Sequence, residues 1–272
     1  MYDRIKTSDD GLETNEVGAW SYDKYALIEM YMSIFSRSMN GKWTTCFIDL
    51  YSGAGLSRVK NTNDFLKGSP LLALDVTVPF SRYIFCEEAG AKFEALSKRV
   101  QGRSNVTLVA GDCNASVAAI VRATPTDALS LCFVDPYDLS INMETLRAIA
   151  KHGKTDFLCL IASGMDAKRN VTNYEKPLSL KVERFLGRSD WRTQWEAAKA
   201  RREEFDDFLA AEFARGMEGL GYLPTPRHQL KRMVNEKRAT LYHLALFSKS
   251  PLAFKFWSEV LKYSSPNRGL FD

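Results

Sequence analysis

The sequence predicts an α/β protein organised around one mostly parallel, doubly wound sheet. Three observations carry that expectation. Short runs that are apolar on both faces recur five times between residues 44 and 162. Amphipathic stretches at helical spacing separate most of them, the alternation that builds a parallel sheet covered on both sides. Near the end, two further strand-like runs suggest an antiparallel pair closing the sheet.

Taken in order, residues 1–18 are polar and read as a loosely held lead-in. Tyr25, Ile28, Tyr31, Met32 and Phe35 recur mainly at spacings of three and four, which predicts a helix over Ser21–Met39. Ser21 is its expected N-cap, and Asn40-Gly41 its end. Strands follow at 44–50 (TTCFIDL), 82–86 (RYIFC), 106–110 (VTLVA), 128–134 (ALSLCFV) and 156–162 (DFLCLIA). Helices are expected at 89–100, 115–122 and 143–151. From 178 to 219 the chain reads as helical and strongly charged, with Arg201-Arg202-Glu203-Glu204 on a solvated face. Tyr222 onward and 240–247 (TLYHLALF) read as the last two strands, and 252–262 as a closing helix. The expectation is a single domain over residues 1–272, with a charged helical insertion at about 168–220.

Bulk properties narrow the classes. The 272 residues suffice for one large domain. Hydrophobic residues make up 45% and charged residues 26%, a globular balance. No apolar run reaches the roughly 20 residues that span a bilayer. The N-terminus lacks a basic segment feeding an apolar one, so the cytoplasm is the expected compartment, with no membrane partner. A net charge of +4 permits a polyanionic partner only where the charge is clustered. Cys46, Cys86, Cys113, Cys132 and Cys159 show no CxxC spacing and read as small buried hydrophobes. His152, His228 and His243 are scattered, and no metal is expected.

The chemistry concentrates at strand ends, where ligands bind in doubly wound sheets. The first strand ends in Asp49-Leu50-Tyr51-Ser52-Gly53-Ala54-Gly55. Glycines at i and i+2 allow a sharp turn and close approach to a ligand. Arg58 stands where a dinucleotide fingerprint needs a third glycine, and no GxxxxGK[ST] follows. A short GxG with an acid at the strand end suits S-adenosylmethionine (SAM), which has no phosphates. Glu87, in Phe85-Cys86-Glu87-Glu88, is placed to accept from ribose hydroxyls. Asp112, in Gly111-Asp112-Cys113, is placed to accept from an adenine amino group. Asp135-Pro136-Tyr137 lies where a methyl acceptor should sit: Tyr137 to stack on it, Asp135 to orient an amine or take its proton.

These motifs, in this order, resemble the three-Cys-motif partner (TcmP) family. The points of resemblance are the helix from Trp20 to Tyr31 with Lys24, FIDLYSGAG at 47–55, Lys67-Gly68-Ser69-Pro70, and FCEE at 85–88. They continue with Gly111-Asp112, FVDPY at 133–137, and Gly164-Met165-Asp166 with Arg169-Asn170. The resemblance implies a Rossmann-like class I methyltransferase fold, a seven-stranded sheet in the order 3-2-1-4-5-7-6 with the seventh strand reversed. It implies SAM as cofactor and a ligand role for Asp49, Gly53, Gly55, Glu87 and Asp112, with Tyr51, Ser52 and Cys113 beside them. It also implies a companion three-Cys-motif protein. The family loop often carries proline where Ala54 stands, and Asp138 replaces the usual glycine after the aromatic.

Arg227, His228, Lys231, Arg232, Lys237 and Arg238 crowd one stretch, and Lys168 and Arg169 follow the fifth strand. Such a cluster suits a phosphate backbone, with Tyr222 and Tyr242 as stacking surfaces. Three functions stay open: a SAM methyltransferase acting on a base of RNA or DNA, a SAM-binding partner subunit with little activity, and a methyltransferase of small molecules or protein.

Overall fold

The computed structural model describes residues 2–235 and 239–263, and the side chains at 165, 166, 168 and 169 fall outside the description. The chain opens with short strands β1 (Lys6–Thr7) and β2 (Asn15–Val17), then helix α1 (Ser21–Met39). Strand β3 (Thr45–Asp49) leads through a hairpin, β4 (Leu56–Val59) and β5 (Phe65–Lys67), to α2 (Ser69–Leu74). The alternation then runs β6 (Arg82–Glu87), α3 (Gly90–Arg99), β7 (Val106–Ala110), α4 (Val117–Ala123), β8 (Leu129–Val134), α5 (Met143–His152) and β9 (Lys154–Ile161). A π-turn at Ser163–Ala167 starts the helical insertion of α6 (Lys168–Tyr174), α7 (Lys181–Leu186), α8 (Trp191–Ala200) and α9 (Phe205–Glu218). Strands β10 (Lys231–Val234) and β11 (Thr240–Phe247) precede α10 (Pro251–Leu261).

The large sheet has the order β10-β11-β9-β8-β3-β6-β7. Its seven strands, counted along the chain, thus stand in the predicted order 3-2-1-4-5-7-6. β11 pairs antiparallel with both β9 and β10, whereas β3, β6, β7, β8 and β9 pair in parallel. This is the strand arrangement of the Rossmann-like methyltransferase fold. All five residues of β3 are buried, and β8 and β9 are buried almost throughout, as strands covered on both faces must be. Helix α1 packs against α2 and α10, while α4, α5, α7 and α9 form a second connected group. The five cysteines are buried and free.

Several expectations are corrected. Residues 1–18 are not a loose lead-in: β1 and β2 flank the β4–β5 hairpin in a second sheet, β1-β5-β4-β2, and Ile5 is fully buried. Ser21 does not cap α1; it is the first helical residue, and its hydroxyl bonds nothing. Arg201-Arg202-Glu203-Glu204 is the turn between α8 and α9 rather than a helix face, and Arg202 takes a left-handed φ of 60°. No strand begins at Tyr222. That residue is buried and donates its hydroxyl to the Thr155 carbonyl, and the strand starts at Lys231.

Candidate functional site

Parallel pairing brings the carboxyl ends of β3, β6, β7 and β8 to one rim, and a cleft of about 640 Å³ opens there. One wall is the loop after β3. Gly53 and Gly55 hold φ of 63° and 88°, the left-handed region that disfavours a side chain. A Cβ at Gly53 would also collide with the Asn15 side chain from β2. The Gly53 amide donates to Glu87 Oε2 at 2.7 Å, and the Ala89 amide donates to Oε1 at 2.8 Å. One carboxylate thereby joins the loop to the end of β6 and to the start of α3. Asp112 works the same way after β7, accepting from the Ala115 amide at 2.9 Å and from Asn114 Nδ2 at 3.2 Å.

Asp49 lies beneath this loop. It is fully buried and absent from the cleft lining, and it accepts from the Tyr51 amide at 3.2 Å. Burial pushes its carboxyl up to about 7, against the lowering effect of Ser69 and the Tyr51 amide. Burial likewise lifts the Tyr51 hydroxyl, which lies 3.2 Å from Ser140 Oγ, and pushes the Cys113 thiol up to about 12. Arg99 fastens the N-terminal segment over the loop. Its guanidinium donates to both Asp10 oxygens, to the Glu13 carbonyl and to the Ala54 carbonyl at 2.5–2.8 Å.

The other end of the cleft is built differently. Lys24 Nζ of α1 bonds Asp135 Oδ2 at 2.7 Å, with the two side chains 10% and 15% exposed. Burial opposes the ammonium charge, but the Asp135 carboxylate outweighs it, so Lys24 is held above the ordinary lysine range and stays charged. Its Nζ also sits 4.7 Å from the centre of the Tyr25 ring. Tyr137 is 67% exposed at the mouth, with Lys92 Nζ 5.2 Å from its ring centre. Trp20, Ser21 and Tyr242 complete this end.

Of the residues singled out in the sequence, Tyr51, Ser52, Gly53, Glu87, Asp112, Cys113, Asp135 and Tyr137 all line the one cleft. Asp49 and Gly55 stand behind it; Gly55 supports the turn, its carbonyl accepting from the Gly68 amide at 2.7 Å. Of the basic candidates among the described residues, Arg227, Lys231 and Arg232 do not line the cleft. Arg227 and His228 are exposed in a 3-10 turn just before β10 and are not among the residues lining the cleft. Arg232 is tied to the buried Asp206 at 3.1 Å, and Lys231 is half-buried. Lys237 and Arg238 lie outside the described residues, as does the side chain of Arg169. Tyr242 is buried and faces the cleft instead of offering an outer stacking surface. Sequence reasoning missed Asn15, Ser21 and Lys24 as site residues. For Lys24 a signal existed: a lysine beside Tyr25, Ile28 and Tyr31 on an otherwise apolar helix face.

No protein-family model matches the sequence, and no curated protein matches it. Among solved structures it is similar to an O-methyltransferase from Bacillus cereus in complex with SAH, at 10% identity over 83% of this chain and 80% of that one, with a TM-score of 0.47. It is similar to Trm1 from Pyrococcus horikoshii with S-adenosyl-L-methionine, at 11% identity over 96% and 63%, TM-score 0.45. A third is fibrillarin from Aeropyrum pernix with natively bound S-adenosyl-L-methionine, at 10% identity over 81% and 76%, TM-score 0.44. Likeness this distant carries nothing about ligand or reaction, and the fold stands on its own strand order.

Proposed function

We propose that the chain is a SAM-dependent methyltransferase of the three-Cys-motif partner kind, acting on a planar nitrogenous acceptor, with a base of RNA or DNA the first candidate. One observation carries the reading: a single cleft joins the loop from Tyr51 to Gly55, Glu87 and Asp112 to the Lys24–Asp135 pair and the exposed Tyr137 ring.

The residues fit the cofactor. Carboxylates lining the cleft (Glu16, Glu87, Glu88, Asp112, Asp135, Asp138) outnumber lysines (Lys24, Lys92), which suits a ligand carrying a sulfonium and an ammonium. Asn15 Oδ1 is buried there without a partner, so it can accept from that ammonium. Glu87 and Asp112 keep lone pairs beyond their backbone bonds for ribose hydroxyls and an adenine amine. SAM, when bound, supplies a methyl group on positively charged sulfur that departs as a neutral thioether. Asp135 can accept a hydrogen bond from the acceptor N–H and take the proton released as nitrogen bonds the methyl carbon. Lys24 holds that carboxylate in place. Tyr137 offers a face for stacking, which for a duplex substrate requires the base to be flipped out.

The test is calorimetry with SAM, then transfer of tritiated methyl from SAM to separate pools of RNA, DNA and protein. Binding with label in RNA or DNA is expected. Label only in protein would overturn the base assignment, and failure to bind SAM would overturn the whole reading. A second reading, a SAM-binding subunit serving a three-Cys-motif protein, has one observation in its favour. Leu178 is 95% and Leu180 45% exposed, beside Lys181, which pairs with Asp138 of the cleft at 2.5 Å. On that reading a purified three-Cys-motif protein binds the chain and fails to bind Leu178→Asp.

A further inference from the structure

We propose that the face of α1 bearing Ser21 and Lys24, together with Tyr242 of β11, is the subsite that recognises the acceptor, and that it takes the polar edge of a neutral nitrogen heterocycle. This rests on the methyltransferase reading above and deepens it. Ser21 and Tyr242 are each only 1% exposed, and both line the cleft. Neither hydroxyl has a hydrogen-bond partner. A buried polar group left unbonded costs about 1–3 kcal/mol, so two of them facing one cleft point to a ligand that supplies the bonds.

The neighbours define what that ligand is. Lys24 and Tyr25 each lie about one turn from Ser21 along α1. Burial, opposed by Lys24 and reinforced by Asp135, holds the Tyr242 hydroxyl above the usual tyrosine range, so it keeps its proton and can donate. Lys24 offers donors, Asp135 an acceptor, and the two hydroxyls either role. The Lys24–Asp135 pair is neutral as a unit, and a charged ligand buried beside it would go uncompensated. Trp20, Tyr25 and Tyr137 add flat apolar surface. A neutral ring with donor and acceptor side by side on one edge, as on a nucleobase, meets all of these conditions. The loop end of the cleft is left for the cofactor.

The test uses the full chain and calorimetry, with S-adenosylhomocysteine titrated first and then adenosine, guanosine, cytidine and uridine against the saturated complex. Failure of S-adenosylhomocysteine to bind removes the methyltransferase reading, and is distinct from failure at the subsite. At least one nucleoside is expected to bind. Ser21→Ala and Tyr242→Phe are each expected to weaken it roughly tenfold while leaving the affinity for S-adenosylhomocysteine within about twofold. Each variant removes an unbonded buried hydroxyl, so each is also expected to melt at or above the wild-type temperature. A hydroxyl kept only for structure would give the opposite. Binding of no nucleoside, undiminished binding in both variants, or a lowered melting temperature in both overturns the proposal.

Discussion

The two ends of the cleft meet the same physical problem, polar groups out of water, in opposite ways. At the loop end the groups bond one another: the Gly53 and Ala89 amides share Glu87, and the Ala115 amide and Asn114 share Asp112. That end is a backbone shape formed in advance, and a ligand entering it meets little reorganisation. At the α1 end the central contact is an ion pair, and two hydroxyls beside it are unbonded. There the fold carries a desolvation penalty that a ligand can relieve. On the reading proposed above, rigid shape would serve a cofactor that is always the same, and unbonded polar groups would serve discrimination among acceptors.

The sharpest way to break this contrast is at the pair. Lys24→Met leaves the Asp135 carboxylate uncompensated and is expected to lower stability by about 3 kcal/mol. Lys24→Met with Asp135→Leu removes both charges and should recover most of that loss. Urea denaturation of the two variants checks this, and equal losses would show that the ion pair is not what organises the α1 end.

The next effect concerns Asp49. Its carboxyl titrates near 7 in the folded chain against 3.8 when free. Between those values the native state binds the extra proton, so this group's effect on stability worsens as pH rises from about 4 to 7 and is fully adverse above 7. Asp49→Asn keeps an oxygen for the Tyr51 amide and removes the buried charge. It is expected to raise stability by about 2 kcal/mol at pH 8 and to change little near pH 4. Melting curves across that range decide it; a gain that does not depend on pH would count against the buried charge.

A smaller stability effect with a large functional one is expected of Gly53→Val. A left-handed φ costs a branched residue about 1–2 kcal/mol, and the new side chain displaces Asn15. SAM binding should be lost in calorimetry although the chain stays folded. Wild-type affinity in this variant would remove the loop from the cofactor site.

The sheet was legible in the sequence because apolar runs such as TTCFIDL and DFLCLIA are too short for a helix and apolar on both faces, which suits a strand covered on both sides. Glu87, Asp112 and Asp135 were legible for the same reason, each standing where such a run stops. The N-terminal sheet was not. Lys6–Thr7 and Asn15–Val17 are too short to show a period, and their partners, the strands of the β4–β5 hairpin, are nearly as short. The α1 end was hidden for another reason. Ser21 and Tyr242 are 221 positions apart in the sequence, and no local pattern announces that β11 returns to the first helix. Nor could the basic stretch show where its side chains go: Arg232 pairs with the buried Asp206, and Lys231 is half-buried.

Arg99 has a consequence for how ligand occupancy can be read. One guanidinium, 4% exposed, fastens residues 10 to 13 to the carbonyl of Ala54 in the loop. Anything that steadies the loop therefore also steadies the segment from Asp9 to Thr14, because a ligand that binds only the closed form shifts the local opening equilibrium by mass action. Amide exchange or limited proteolysis of that segment becomes a built-in gauge of the cleft, read from outside the site and without any label on the ligand.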